Sequence, residues 1–179
     1  MQDFPADVEY SERGDGPTLL LLPGSFGTGS GWRPVIERLA GRYRIITTSL
    51  LGYGETAERR LLGNATMRQQ VDIIDHIIKR IGEPAHVVGH SFGGFTALAH
   101  AIDGALKPAS LLLVEANPFG LLKTSGENTL HAMFGEMTRV YFAEVETGHR
   151  ARLSSRRYRL ISASPRRRWS CVAATATRR

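Results

Sequence analysis

The sequence predicts an α/β fold with a mainly parallel sheet flanked by helices. Two observations carry this. Short β-rich apolar runs alternate with amphipathic helical stretches from residue 18 to residue 114, and such alternation packs as parallel strands joined by helical crossovers. The chain has 179 residues, 42% of them hydrophobic and 22% charged, enough for one domain with a sizeable core.

The elements follow in order. Val8 to Arg13 alternates apolar and polar residues, Gly14-Asp15-Gly16-Pro17 makes a turn, and Thr18 to Leu22 is continuously apolar. Together they read as a hairpin entering a buried central strand. The loop Pro23 to Trp32 holds glycine at every second or third place, so its amides can point at a ligand. It lacks a Gly-Lys-Ser/Thr ending, which argues against nucleotide phosphates, whereas backbone donors suffice for an oxyanion hole. Trp32, Val35, Ile36 and Leu39 share one face of a helix over 32–42, with Gly41 as its stop, and Tyr43 to Ser49 is the next strand. Leu51 to Thr56 is turn-rich. Thr66-Met67-Arg68-Gln69 has the form of a capping box. The helix it opens carries Val71, Ile74, Ile78 and Ile81 on one stripe, widened by Ile73 and Ile77, and Gly82 and Pro84 end it. Ala85 to Val88 is a strand, Phe92 to Ile102 a helix, and Ser110 to Glu115 a further buried-type strand.

Between that strand and helix stands Gly89-His90-Ser91-Phe92-Gly93. A Gly-x-Ser-x-Gly turn at such a junction pushes the serine hydroxyl out above the sheet, and the glycines remove side chains that would collide there. A glycine-rich connection with an incidental serine is the competing reading, and the flanking strand and helix favour the elbow.

Charge divides the chain. Residues 1–149 carry 13 basic and 17 acidic side chains, whereas 150–179 hold ten arginines and no acid. Arg, Ser and Ala dominate that tail and no period runs through it, so it reads as a disordered basic segment. The expected divisions are a core over 1–116, the start of a cap-like helical region over 117–149, and the tail over 150–179. The single Cys171 excludes an intrachain disulfide framework and a Cys-rich metal site. Histidines with metal-ligand spacing are lacking, so neither metal nor cofactor is expected. No apolar run has the length of a membrane span, and no secretory h-region opens the chain. A cytoplasmic protein with a small-molecule substrate, and no membrane or specific nucleic-acid partner, is the expectation. The arginines could neutralise phosphate on nucleic acid or an anionic membrane, but the tail offers only Tyr158 and Trp169 as aromatics and no folded nucleic-acid motif.

Leu19-Leu20-Leu21-Leu22-Pro23-Gly24, the aromatic Trp32, Ser49-Leu50-Leu51-Gly52-Tyr53-Gly54-Glu55-Thr56 and Val88-Gly89-His90-Ser91-Phe92-Gly93-Gly94 together resemble the α/β-hydrolase superfamily, in its esterase, lipase, haloperoxidase-like and C–C hydrolase branch, over about residues 8–120. Pro23 stands where that family often has histidine. Ser49 and Thr56 replace the ends of its Asp-x-x-Gly-x-Gly-x-Ser segment. The resemblance implies a serine hydrolase of a small ester or related acyl substrate, with Ser91 as nucleophile. The backbone N–H groups of Phe92 and Ser25 become the oxyanion donors, with Phe26 the next choice after Ser25.

The family's triad continues with an acid and then a histidine, after late strands that are not visible here. Glu115, closing the Ser110 strand, is the candidate acid, with a solvated loop glutamate as the alternative. His131 and His149 lie in cap-region sequence, where a surface or cap-packing role is the first reading and a catalytic base the alternative. His90 is pointed away by the elbow, His76 reads as solvated, and His86 and His100 read as structural. An α/β-hydrolase core lacking its last strands is thus expected. With neither acid nor histidine identifiable, the hydrolase is expected to be impaired in this chain, with at most residual activity. The Arg/Ser/Ala tail resembles a GC-rich gene read in a shifted frame, so a non-functional truncated or frameshifted fragment is the alternative. On either reading Ser110 to Val114 is an exposed apolar edge through which copies of the chain would associate.

Overall fold

The computed structural model describes residues 7–61 and 63–116, six positions between 132 and 143, and the backbone of 171–174. These fall into two compact units. The larger holds the sheet and its helices, and the smaller includes 60–65 and the described positions between 132 and 143. The elements of the larger unit are β1 (Ser11–Arg13), β2 (Thr18–Leu22), a 3-10 turn (Gly29–Trp32), α1 (Arg33–Leu39), β3 (Arg44–Thr47), α2 (Met67–Ile81), β4 (His86–His90), α3 (Phe92–Asp103), β5 (Ser110–Val114) and β6 (Cys171–Ala174). In the smaller unit the Leu61 amide donates to Asn64 Oδ1 at 2.6 Å, and Arg139 pairs with Glu136 one turn before it.

The six strands run in the order β1-β3-β2-β4-β5-β6. The four central strands are parallel, and β1 and β6 are antiparallel borders. This is the α/β sheet that the alternation predicts. The expected hairpin does not form. β1 pairs with β3, placing Ser11 opposite Thr47 and Arg13 opposite Ile45, so β3 lies between β1 and β2. The turn must therefore cross two strand spacings, about 10 Å, too far for a tight hairpin loop. It does so beneath the start of β3, with Gly14 (φ 78°) and Gly16 (φ 106°) so close to the carbonyls of residues 40–43 that no Cβ would fit. The Arg44 amide meets the Pro17 carbonyl at 3.2 Å, and the Arg44 guanidinium meets Glu12 at 2.6 Å across the β1–β3 seam.

A second correction concerns β5. Its outer edge, expected to be exposed, is paired by β6, with Leu111 opposite Ala174 and Val114 opposite Cys171. The tail is therefore not uniformly without structure. Residues 171–174, Cys-Val-Ala-Ala, contain none of the tail's arginines, so they can satisfy the β5 edge without burying charge. The rest of the tail, and most of the expected cap-like region, lie outside the described residues. Among the described residues no helix is long and apolar enough to cross a membrane.

The core forms where α2 covers the sheet. Ile73, Ile74, Ile77, Ile78 and Ile81 gather with Leu20 and Leu22 of β2, Ile46 of β3, Val87 of β4 and Ala97 of α3. The capping box opens α2 as its sequence predicts, with the Thr66 amide donating to Gln69 Oε1 at 2.8 Å. Gly82 closes it in the left-handed conformation (φ 78°). α1 is shorter than predicted. Residues 29–32 form the 3-10 turn, Pro34 stands in the first helical turn, and the helix stops at Leu39, two residues before Gly41.

α2 and α3 are also joined by a polar contact. His100 is fully buried and its Nε2 lies 3.1 Å from Asp75 Oδ1. Asp75 also accepts the Ala105 and Leu106 amides at 3.0 Å and pairs with Arg68 at 3.2 Å. Burial would raise the Asp75 pKa, but these amides and His100 outweigh it and hold the group below its usual value. Burial pushes the His100 pKa down, against the pull of Asp75, and burial with nearby Lys79 and Arg59 lowers that of His76. Both histidines therefore take up a proton less readily folded than unfolded. The fold is at its full strength above about pH 6.5 and weakens as pH falls below it, because the unfolded chain is protonated first. Denaturant melts at pH 7.5 and 5.5 should show a lower midpoint at 5.5, and His100→Gln should flatten that dependence.

Candidate active site

Only Ser91 separates the last residue of β4 from the first of α3. Its backbone takes φ 51° and ψ −118°, a combination sterically costly for an L-residue and typical of functional turns. Neighbouring groups over-determine it. The Ser91 amide donates to the Val114 carbonyl at the end of β5 at 2.9 Å, and its carbonyl accepts the Phe95 amide at 3.0 Å in the first turn of α3.

The glycines around it are required by contact. A Cβ at Gly89 would lie 2.6 Å from Gly94 Cα and closer still to the Gly93 carbonyl. A Cβ at Gly93 would strike the Pro23 carbonyl and lie 2.5 Å from that of Leu22. The start of α3 is thus pressed on the end of β2, and the loop that leaves β2 passes directly beside the serine. A Cβ at Gly24 would be 3.1 Å from both Ser91 Cβ and His90 Nδ1.

That loop is a turn closed by the Gly27 amide on the Gly24 carbonyl at 3.0 Å, with Phe26 at φ 61°. Ser25 and Phe92 therefore stand on the two backbone segments that flank Ser91. Among the described residues, neither amide is spent on a backbone hydrogen bond. The Phe92 amide is one of the unpaired donors at the α3 N-terminus. The Phe26 ring meets Tyr53 edge-on, centroids 5.7 Å apart, which ties the loop to the turn after β3.

Glu115 follows β5 with φ 49°. Its carboxylate lies 3.8 Å from His90 Nε2, and both side chains are partly exposed. The acid candidate thus faces the elbow histidine. The other described histidines are engaged away from Ser91. His86 Nδ1 is 2.8 Å from Ser110 Oγ at the opposite end of β4, about 13 Å down the strand from His90. His100 binds Asp75, about 12 Å along α3 from Phe92. His131 and His149 lie outside the described residues. Among those residues no group of three or more His, Cys, Asp or Glu could hold a metal ion.

A second constellation beside the loop involves Glu9, which sequence reasoning passed over. The Ser49 hydroxyl donates to Glu9 Oε2 at 2.7 Å and accepts the Gly29 amide at 3.1 Å. The Glu55 amide donates to the same Glu9 oxygen at 3.0 Å. Thr56 Oγ1 accepts the Glu9 amide at 3.0 Å and donates to the Ser49 carbonyl at 2.8 Å. The signal in the sequence was Ser49 standing at a place where the resembled segment has an acid. Nothing local indicated that a glutamate 40 residues earlier supplies one.

The family model described as "Alpha/beta hydrolase family" matches residues 19–178. A dihydrolipoyllysine-residue acetyltransferase component of an acetoin cleaving system from Cupriavidus necator is 33% identical over 121 residues, 66% of this chain and 32% of that protein. A pimeloyl-[acyl-carrier protein] methyl ester esterase from Aliivibrio salmonicida is 30% identical over 109 residues, 61% of this chain and 40% of that protein. The chain therefore spans about a third to two fifths of the length of these relatives. Among solved structures, a variant of the meta-cleavage product hydrolase from Pseudomonas fluorescens IP01 superposes with TM-score 0.52 at 30% identity, covering 58% of this chain and 39% of that one.

The glycine contacts separate two classes of substitution. Gly93→Ala should cost about 3 kcal/mol of unfolding free energy, because backbone carbonyls cannot retreat from the new methyl. Gly41→Ala, with nothing within 4 Å of its would-be Cβ, should be neutral or stabilising by about 0.5 kcal/mol. Urea melts of the two variants measure the contrast.

Proposed function

Because the chain belongs to the alpha/beta hydrolase family, we propose that it hydrolyses a small ester or related acyl substrate through an acyl-enzyme on Ser91. One observation carries this reading: Ser91 is held in a strained backbone conformation between β4 and α3, with the glycine-rich loop after β2 packed against it. A serine with an ordinary structural role needs neither the strain nor the neighbouring loop.

On this reading the Ser91 hydroxyl oxygen attacks the acyl carbon as its proton passes to a general base. The carbonyl oxygen becomes an oxyanion between the Phe92 and Ser25 amides, with Phe26 next in line. One such donor contributes about 2.7–4 kcal/mol to the transition state. The alcohol leaves with the proton from the base, and water, deprotonated by the same base, then releases the acid. His86 and His100 are engaged away from Ser91, so the described residues supply no base, and the activity proposed for this chain is residual. Glu115 is the acid that this reading assigns. The relatives' names suggest the bond class: one carries a methyl ester, and another, from Azorhizobium caulinodans, is called a carbamate hydrolase.

A fluorophosphonate should label the full chain at Ser91, found by peptide mass spectrometry. Ser91→Ala should abolish labelling and remove any p-nitrophenyl ester turnover the chain shows above the buffer rate, with its melting curve unchanged. An unlabelled chain that melts cooperatively would overturn the reading.

A further inference from the structure

Glu9 takes no step in the hydrolysis, yet its carboxylate is where three separate segments meet. A serine hydroxyl has one proton to give. Ser49 is fully buried and spends that proton on Glu9 Oε2, leaving its oxygen to accept from the Gly29 amide. The relay therefore runs from Gly29 through Ser49 to an acceptor that carries charge, the stronger class of hydrogen bond. Room is reserved for it. A Cβ at Gly29 would lie 2.6 Å from Glu9 Oε1, and a Cβ at Gly54 (φ 54°) would strike Glu9 Oε2 and lie 2.5 Å from Ser49 Oγ. The Glu55 amide, on the turn that carries Tyr53, closes on the same oxygen at 3.0 Å.

The glycine-rich loop is thus pinned at both ends. Gly24 is packed against Ser91 and His90, and Gly29 is hydrogen-bonded to Ser49. Between these points stand Ser25 and Phe26, and the Phe26–Tyr53 contact ties the span to the Glu55 turn that Glu9 also holds. We propose that Glu9 is a positioning residue: through Ser49 and Glu55 it fixes the loop so that the Ser25 and Phe26 amides stay in place beside Ser91. The catalytic consequence rests on the hydrolase reading, whereas the tether itself does not.

The test uses the full chain and four variants: Glu9→Ala, Ser49→Ala, the double variant Glu9→Ala with Ser49→Asp, and Glu83→Gln. The double variant moves the carboxylate across the 2.7 Å contact onto residue 49, in the space that Glu9 vacates. Glu83→Gln is a control, since its carboxylate bonds Thr18 at the opposite end of β2. Amide hydrogen exchange reads the tether. In both single variants the Gly29 amide should exchange about 10-fold faster or more, with α2 unchanged, and the double variant should recover most of that protection. Ester hydrolysis reads the consequence. kcat should fall about 10- to 100-fold with KM within about twofold, as expected when donors are displaced by a fraction of an ångström, and the double variant should recover it. Unchanged Gly29 exchange in Glu9→Ala, or a double variant no better than Glu9→Ala in either readout, overturns the proposal. A general loss of folding would instead speed exchange in α2 and raise KM together, which also counts against it. A wild-type chain that neither turns over ester nor labels at Ser91 ends the hydrolase reading and the catalytic half of the proposal, and the exchange data then decide the tether alone.

Discussion

The structure depends on one close approach of backbones. Around Ser91 the end of β4, the start of α3 and the end of β2 occupy space in which a single methyl group would be too many. Gly89 lets β4 pass the first turn of α3, and Gly93 lets that turn rest on the carbonyls of Leu22 and Pro23. This contact fixes how α3 leaves the sheet. It also sets the path of the loop after β2, because Gly24 must then run beside Ser91 and His90. The strain at Ser91 persists because the Val114 carbonyl and the Phe95 amide bond its backbone from either side.

Two carboxylates serve as hubs for polar groups that the hydrophobic core does not organise. Asp75, facing α3 from α2, gathers His100, the Ala105 and Leu106 amides and Arg68. It thereby secures the end of the elbow helix on the apolar stripe of α2. Glu9 gathers Ser49 and the Glu55 amide, and through Ser49 the Gly29 amide, and so joins the segment before β1 to two loops near the elbow. In each case an acceptor-only group meets one buried donor, His100 or Ser49, which would otherwise lack a partner at a cost greater than the bond gains, and adds more exposed donors around it. One hub therefore supports the helix that follows Ser91, and the other the loop that passes it.

The sheet's borders follow a different logic from its centre. The parallel strands β2, β3 and β4 each lend aliphatic residues to the core with α2, and β2 and β3 are buried at nearly every position. β1 and β6 run antiparallel and are three and four residues long. Short borders leave little backbone open to a second chain. β1 is held by the Glu12–Arg44 pair and by Arg80 stacked 3.9 Å from the centre of the Tyr10 ring, contacts that bring charge to the rim without burying it.

The sequence by itself determined what repeats locally. The isoleucine period of α2, its capping box and Gly82, the aliphatic runs of β2 to β5 and the Gly-x-Ser-x-Gly junction all rest on interactions within a few residues, so they could be read in order along the chain. Ser25 and Phe92 were singled out by the resemblance of their motifs to the α/β-hydrolase pattern and not by any local period. Tertiary structure alone decided the rest. It placed β3 between β1 and β2, because pairing partners are chosen by which backbone edges remain open and not by adjacency in sequence. It brought β6 back to β5 across more than 50 residues. It turned Glu115 toward His90, and it put the Glu9 carboxylate against Ser49, where two glycines far apart in sequence leave room for it. Such contacts have no period and no fixed spacing. They exist only where the folded sheet brings distant backbone within reach of one side chain.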